Sequence, residues 1–130
     1  MNEIFIKFTL KVSNEDIDDI VSTALEGGIN YWCCRAEVVG EYLGEYASDQ
    51  ISRDGTLKLY LYDTESDDVW ELDKPKLLEG ISKAITNGIL LEYEWAKFDN
   101  EIITLDTCQV DAEVADAIIQ YALFGKLVFG

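Results

Sequence analysis

The stretch TLKLYLYDTESDDVWELDKPKLLEGISKAITNG, residues 56–88, contains two strand patterns followed by one helix pattern. Leucine occupies every second position from Leu57 to Leu61, and a period of two predicts a half-buried strand. The segment Val69–Leu72 follows the polar turn Thr64–Asp68 and is able to return antiparallel to the first strand. This part of the chain therefore predicts a β-hairpin.

The end of the same stretch predicts a helix. Asp73 is a suitable amino-terminal cap, Pro75 suits the first turn, and Asn87 with Gly88 ends the pattern. Apolar residues recur between them at helical spacing, namely Leu77, Leu78, Ile81, Ala84 and Ile85.

Before the hairpin, the sequence predicts a strand, a helix and a second strand. The even positions from Ile4 to Val12 are all apolar, which predicts a half-buried strand. Ser13 and Asp16 resemble a capping box with Asp in place of Glu, and the helical pattern that follows ends at Gly27-Gly28. In the second strand, Ile29–Val39, alternation places on one face Trp32, Cys34, Ala36 and Val38.

After the second strand, Gly40–Gly55 predicts a long connection with a short helical turn. Beyond residue 88, Ile89–Asp106 fits either an aromatic-rich strand, which we favour, or an irregular segment that leads into a strand at Glu101–Leu105. Asp111 is then expected to cap a third helix that ends at Gly125, and the tail Leu127–Phe129 predicts a terminal strand. The mixed order predicts one α+β domain over residues 1–130, with a mixed or antiparallel sheet of about five to six strands and about three helices packed on it.

Charge narrows the class of function. The 130 residues include 26 Asp and Glu, ten Lys and Arg, and no His, which gives a formal net charge of −16. Such a charge opposes direct binding to nucleic acid or anionic lipid, because phosphate contacts need Lys or Arg. It suits a protein partner with a basic groove, whereas the simpler interpretation is that the acidity only confers solubility.

Recognisable catalytic and metal motifs are missing from the sequence. Serine or cysteine triads that depend on histidine are excluded, and no carboxylate pair stands out, so we expect a protein that is not an enzyme and uses no cofactor. The acidic run 63–68 lacks the glycine and the bidentate Glu of a calcium loop. Cys33, Cys34 and Cys108 do not supply a zinc set, and we expect one of the adjacent pair to fill the core.

A cytoplasmic location is expected. Residues 1–12 show no signal-peptide pattern, and no apolar run is long enough to span a membrane. Three cysteines, two of them adjacent, do not suggest a secreted disulfide framework.

The acidic residues are the leading candidates for a partner-binding surface. They fall in tracts free of basic residues, although helix capping and the helix dipole explain some of them equally well. The predicted partner-binding residues are Glu15, Asp16, Asp18, Asp19, Asp63, Glu65, Asp67 and Asp68.

A second candidate site combines aromatic rings with the only two arginines of the chain. A guanidinium beside aromatic rings suits an anionic or nucleotide-like ligand, but each arginine also has acids nearby that it could simply neutralise. The residues are Trp32, Arg35, Tyr42, Tyr46 and Arg53.

Three segments carry a resemblance: TALEGGINYWCC at Thr23–Cys34, GEYLGEYASDQISRDGTLKLY at Gly40–Tyr60, and ALFGKLVFG at Ala122–Gly130. Together they resemble small uncharacterised proteins of prophages and mobile elements in Firmicutes. The resemblance covers most of the chain and implies a phage-type setting in the cytosol of a host cell. It implies no activity and no catalytic residues.

Three functional hypotheses follow. The first is an anti-defence inhibitor that occludes the basic groove of a nucleic-acid-processing host protein, as anti-CRISPR and anti-restriction DNA mimics do. The second is a small-ligand binder that sequesters a nucleotide signal. The third is a phage structural or assembly component that forms a homo-oligomer through an exposed apolar edge at residues 4–12 or 126–129.

Overall fold

The computed structural model describes residues 1–62 and 68–130. Within them the chain forms an α+β domain, as predicted, with one hydrophobic core. A π-helical turn, Ala24–Gly28, extends the first helix. The elements are β1 Thr9–Leu10, α1 Asn14–Thr23, β2 Cys33–Val38, β3 Leu57–Leu61, β4 Val69–Leu72, α2 Lys74–Thr86, β5 Ala96–Asp99, β6 Ile102–Leu105 and α3 Ala112–Phe124. Short 3-10 turns lie at Ala47–Asp49, Ile51–Arg53, Leu91–Tyr93 and Thr107–Gln109.

The strands in the described ranges form two three-stranded sheets instead of one sheet. In the first, β1 runs parallel to β6 and β5 runs antiparallel to it, in the order β1-β6-β5. In the second, β2, β3 and β4 are antiparallel neighbours. The hairpin predicted from the leucine alternation is the β3–β4 pair, in which Leu57 faces Leu72.

The three helices begin where the sequence predicts. Ser13 accepts a hydrogen bond from the Asp16 amide, and the Asp16 carboxylate accepts one from the Ser13 amide, so the capping box is complete. In α2 and α3 the cap is a carboxylate, because Asp73 accepts a hydrogen bond from the Lys76 amide and Asp111 accepts one from the Val114 amide. Local side-chain chemistry therefore sets all three helix starts.

The strand β2 contains a bulge that the simple alternation misses. Its register against β3 shifts between Cys33 and Arg35, so Cys34 is the extra residue. Cys33 is buried in the core and Cys34 is exposed. One cysteine of the pair fills the core, as predicted, but the predicted face that combined Cys34 with Ala36 is wrong because the bulge changes the parity.

Helices α2 and α3 pack closely at Gly80. A Cβ placed there would lie 2.5 Å from the Ile118 carbonyl oxygen and 2.8 Å from the Ala122 Cβ. The absence of a side chain at Gly80 therefore allows α2 and α3 to pack closely against each other in the core. No helix in the described ranges is long and apolar enough to cross a bilayer.

Two strand predictions are wrong in extent. Of the predicted strand at residues 4–12, only Thr9–Leu10 pairs with β6, and residues 4–8 extend beyond the sheet. The predicted terminal strand Leu127–Phe129 is not a strand. Its Val128 and Phe129 amides donate hydrogen bonds to the Gln120 side chain of α3 and not to a neighbouring strand. The connection 40–55 contains two 3-10 turns where one short helical turn was expected.

Candidate functional site

An acidic row runs along the solvent side of α1 and its π-helical extension. Glu15 and Asp19 lie four residues apart and Glu26 lies seven residues further, so the three share the face opposite the buried Ile17, Ile20, Val21 and Ala24. All three are exposed. Across 11 residues of helix the row is about 17 Å long. We call Glu15, Asp19 and Glu26 the acidic stripe.

Neighbouring side chains hold two carboxylates of the acidic stripe in place. The Thr107 hydroxyl donates to Asp19 Oδ2 at 2.7 Å, and the Ser22 hydroxyl donates to Glu26 Oε1 at 3.1 Å. Both are neutral donors, so they orient the carboxylates without neutralising their charge. The stripe is therefore a partly ordered row of full negative charges.

The buried side of the π-helical turn packs against the start of α3. A Cβ at Gly28 would lie 2.8 Å from the Ala112 carbonyl oxygen, which shows how closely the end of the π-helical turn approaches that helix. Two exposed acids, Asp111 and Glu113, lie at this helix start. They add to the negative potential of the protein surface at this helix start.

The other two acids predicted on α1 lie outside the acidic stripe and are partly buried. Asp16 belongs to the capping box and is partly buried. Asp18 is also partly buried, and its Oδ1 is shielded from solvent without a hydrogen-bond partner in the described part of the chain. The structure thus separates Glu15 and Asp19 from Asp16 and Asp18.

The second predicted acidic group lies almost wholly outside the described residues. Asp63, Glu65 and Asp67 fall in residues 63–67. Asp68 is described and exposed, just before β4. Their role as partner-binding residues stays a prediction.

Ion pairs leave most of the negative charge unbalanced. Within residues 1–62 and 68–130, five Lys or Arg side chains lie within 4.0 Å of a carboxylate. None of these pairs includes a carboxylate of the acidic stripe. No group of three or more Cys, Asp or Glu side chains in the same ranges is arranged to hold a metal ion.

Trp32, the first predicted ligand-binding residue, lies in the core. Only 2% of it is exposed. Its ring stacks on Phe129 with centroids 5.3 Å apart and planes 6° apart, and its Nε1 donates to Asp116 Oδ1 at 2.7 Å. One ring face and the hydrogen-bonding edge of Trp32 are therefore engaged by the protein itself, and the ring is buried.

Arg35 lies on β2, away from these partners of Trp32. Its guanidinium carbon is 3.9 Å from the centroid of the Tyr60 ring, and Nη2 is 3.6 Å from Glu37 Oε2. The contact with an aromatic face is the kind predicted, but it is made by Tyr60 and not by Trp32 or Tyr31.

Tyr42, Tyr46 and Arg53 belong to the 40–55 connection. Both tyrosines are exposed, at 61% and 62%. Arg53 lies beside Gly44 and 3.9 Å from Asp49 Oδ2, while Asp49 also accepts a hydrogen bond from the Tyr46 amide. These three are neighbours in one loop, and the structure does not join them to Trp32.

A large cleft lies elsewhere, between α3, residues 88–90 that follow α2, and the 126–130 tail. It has a volume of about 860 Å³, and its polar wall includes Tyr31, Asp116 and Gln120. The Tyr31 hydroxyl donates to Asp116 Oδ2 at 2.5 Å, and Gln120 Nε2 donates to Asp116 Oδ1 at 2.9 Å. Apolar residues complete the lining, among them Ile89, Leu90, Leu127 and Val128.

The pKa of Tyr31 is shifted at this cleft. Partial burial, followed by the hydrogen bond to the Asp116 carboxylate and its charge, raises the pKa to about 12 from 10.0. The phenol therefore stays protonated at neutral pH and acts as a donor to Asp116, not as a base.

Sequence reasoning missed Glu26 and the Tyr31–Asp116 pair. The spacing of Glu15, Asp19, Ser22 and Glu26 along one helix contained the signal for Glu26. Tyr31 and Asp116 are 85 residues apart, and nothing local indicates that they meet. No family profile, curated protein or solved structure matches this chain.

Proposed function

We propose that this chain is a non-catalytic binding protein whose acidic stripe engages the basic groove of a partner protein. The partner chemistry that fits is a groove built for nucleic acid, because such grooves present rows of Lys and Arg to phosphates. In the phage-type setting that the resemblance implies, the partner is a host defence protein and the chain is an anti-defence inhibitor in the cytosol of the host cell.

One observation carries the proposal. Glu15, Asp19 and Glu26 form a row of exposed carboxylates on a rigid helix, and no described Lys or Arg pairs with them. The hydroxyls of Thr107 and Ser22 orient two of these carboxylates. Ordered charges lose less side-chain entropy on binding than free ones.

The mechanism is electrostatic competition. A row of carboxylates attracts the basic groove over a distance of about one Debye length, then displaces its bound counterions. The partner's groove is covered, so nucleic acid no longer enters it. Binding of this kind weakens as salt concentration rises.

The test is a pull-down from bacterial lysate at low and high salt with the tagged protein. A stripe variant carries Glu15→Gln, Asp19→Asn and Glu26→Gln, and the amide groups keep hydrogen-bond acceptors for Thr107 and Ser22. A matched control carries Glu92→Gln, Asp99→Asn and Glu101→Gln, which neutralise three exposed acids away from the stripe.

The wild type and the matched control are expected to capture a nucleic-acid-handling protein at low salt and to release it at high salt. The stripe variant is expected to lose the capture. Equal capture by the stripe variant, or a partner retained at high salt, contradicts the proposal.

The cleft beside Tyr31 supports a second candidate function, the binding of a small ligand. Its size falls within the usual range for small-molecule pockets, and its lining is mainly apolar with a few polar groups. Glu113 and Asp116 line it without a Lys or Arg among the described residues, which favours a neutral or cationic molecule over a nucleotide. Native mass spectrometry of the purified protein would detect such a molecule as a discrete added mass, and the apoprotein mass alone would contradict it.

A further inference from the structure

Residues 1–8 form an apolar arm that the fold leaves uncovered. Ile4 is 86% exposed, Phe5 93% and Ile6 72%. These three apolar residues are consecutive, whereas exposed apolar residues that occur singly are ordinary on a protein surface. Within residues 1–62 and 68–130, no backbone hydrogen bond is made by the arm, and the first one is donated by Thr9 to the Glu101 carbonyl. The arm therefore has both unburied apolar area and unpaired backbone groups.

The arm continues the core face of the β1-β6-β5 sheet. Leu10 pairs with Ile103 and Ile103 with Phe98, so these three side chains lie on one face. Phe8 extends that face and meets Phe98 edge-on, with ring centroids 6.1 Å apart. Ile6 and Phe8 line an open groove of about 420 Å³, whose other wall is formed by α2 residues Ser82, Ile85 and Thr86.

The sheet edge beside the arm is open. Strand β1 is an outer strand of the described sheet, with β6 on one side. An outer strand with apolar extension is a template for pairing with another strand. The arm is weakly protected, since residues 1–8 contain no proline and their only charged side chains are Glu3 and Lys7.

The charge of the arm indicates which strand fits. Residues 1–8 carry Glu3 and Lys7, and an antiparallel pair of two such arms centred on Phe5 places each Glu3 opposite the other copy's Lys7. The same alignment places Ile4 opposite Ile6 on the apolar face. An alignment centred on Lys7 would instead place that lysine opposite itself, which is unfavourable.

We propose that the arm pairs with the arm of a second copy of this chain, antiparallel and centred on Phe5, to form a two-fold symmetric dimer with one continuous sheet. The contact is isologous, so one self-complementary segment serves both copies. Ile4 and Ile6 of each copy extend the apolar wall of the other copy's groove. The dimer is independent of the proposed function, because the acidic stripe lies on a different element.

Salt separates the two interactions. Partner binding through the stripe weakens as salt rises, whereas the dimer persists, because its contact is mainly apolar and salt screens the repulsion between two copies of charge −16.

The test is sedimentation velocity of the full chain over a range of concentrations, with charge-swap variants. Glu3→Lys and Lys7→Glu each place like charges opposite one another twice, and each is expected to weaken the dimer roughly tenfold or more. Mixing the two single variants restores opposite charges, so a heterodimer is expected at wild-type strength. Lys11→Glu, which lies outside the paired span, is the control with the charge change of Lys7→Glu and is expected to leave the dimer unchanged.

The Glu3→Lys variant is the most discriminating, because it lowers the net negative charge. If repulsion between the bodies alone controlled association, this variant would dimerise more strongly than the wild type. A monomeric wild type at all concentrations overturns the proposal, as does a mixture of the two variants that fails to restore the dimer. An arm that binds a different protein while the chain stays monomeric also overturns it.

Discussion

Residues 1–8 and residues 126–130 are both apolar segments with strand-like sequences, yet the structure treats them oppositely. Ile4 and Phe5 are 86% and 93% exposed, whereas Phe129 is partly buried and stacks on Trp32. Neither segment forms a strand in the structure. Apolar content alone therefore does not decide whether a segment joins the core.

The difference lies in a polar clamp. Gln120 is 1% exposed, and its Oε1 accepts hydrogen bonds from the Val128 and Phe129 amides at 2.7 and 2.9 Å. Its Nε2 donates to the Phe129 carbonyl at 3.2 Å. One side chain thus satisfies the backbone that a strand partner would otherwise satisfy. Residues 1–8 have no such group in the described part of the protein.

Removing the clamp is expected to have the largest effect. Gln120→Ala removes the acceptor of the Val128 and Phe129 amides and one hydrogen-bond donor to the Asp116 carboxylate. The 126–130 tail should then detach. We expect a loss of about 3–5 kcal/mol in the free energy of unfolding. Urea unfolding measures it, and Gln109→Ala, at an exposed glutamine, is the control that should change it by less than about 0.5 kcal/mol. A small loss for Gln120→Ala would show that the tail is held by its apolar contacts instead.

Phe129 and Phe5 are the same residue type in the two segments, and their removal should have different effects on stability. Phe129→Ala removes the stack on Trp32 and the contact with Phe124, so we expect about 2 kcal/mol lower stability. Phe5→Ala removes a ring that is 93% exposed and should change the stability of the monomer by less than about 0.5 kcal/mol. Both are measured by urea unfolding at low protein concentration. Equal effects would contradict the assigned difference between the two segments.

The smallest expected effect is on the pH dependence of stability. The pKa of Tyr31 is raised to about 12 from 10.0, so the folded protein holds the phenolic proton more tightly than the unfolded chain. This contribution is fully present below pH 10 and is lost as pH rises toward 12. Tyr31→Phe removes it, and the stability difference between wild type and variant should shrink over that interval. A difference that stays constant between pH 10 and 12 would contradict the shift.

The sequence predicts the features that local chemistry controls. Ser13, Asp73 and Asp111 set the three helix starts, and the alternation of Leu57 to Leu61 sets the hairpin strand. The sequence does not predict features that depend on contacts between residues far apart along the chain. The clamp by Gln120 and the division of strands between two sheets arise only when separate segments meet in the folded chain.

The candidate site shows the same division. The helical spacing places Glu15 and Asp19 on one face, and sequence reasoning selected both. It also selected Asp16, whose capping role follows equally from sequence, and Trp32, whose ring is covered by Phe129. Aromatic residues near an arginine indicate a ligand site only if their faces stay open, and that depends on the tail 97 residues away.

We propose that the acidic stripe occupies a groove made for nucleic acid, so DNA and this protein should compete for the partner. The most direct measurement is competition: the partner recovered from lysate is bound to the immobilised protein and then challenged with increasing duplex DNA at constant salt. We expect DNA to displace the partner from the wild type, and we expect the Glu15→Gln, Asp19→Asn, Glu26→Gln variant not to hold the partner at all. A partner that binds DNA and this protein at the same time would contradict the account.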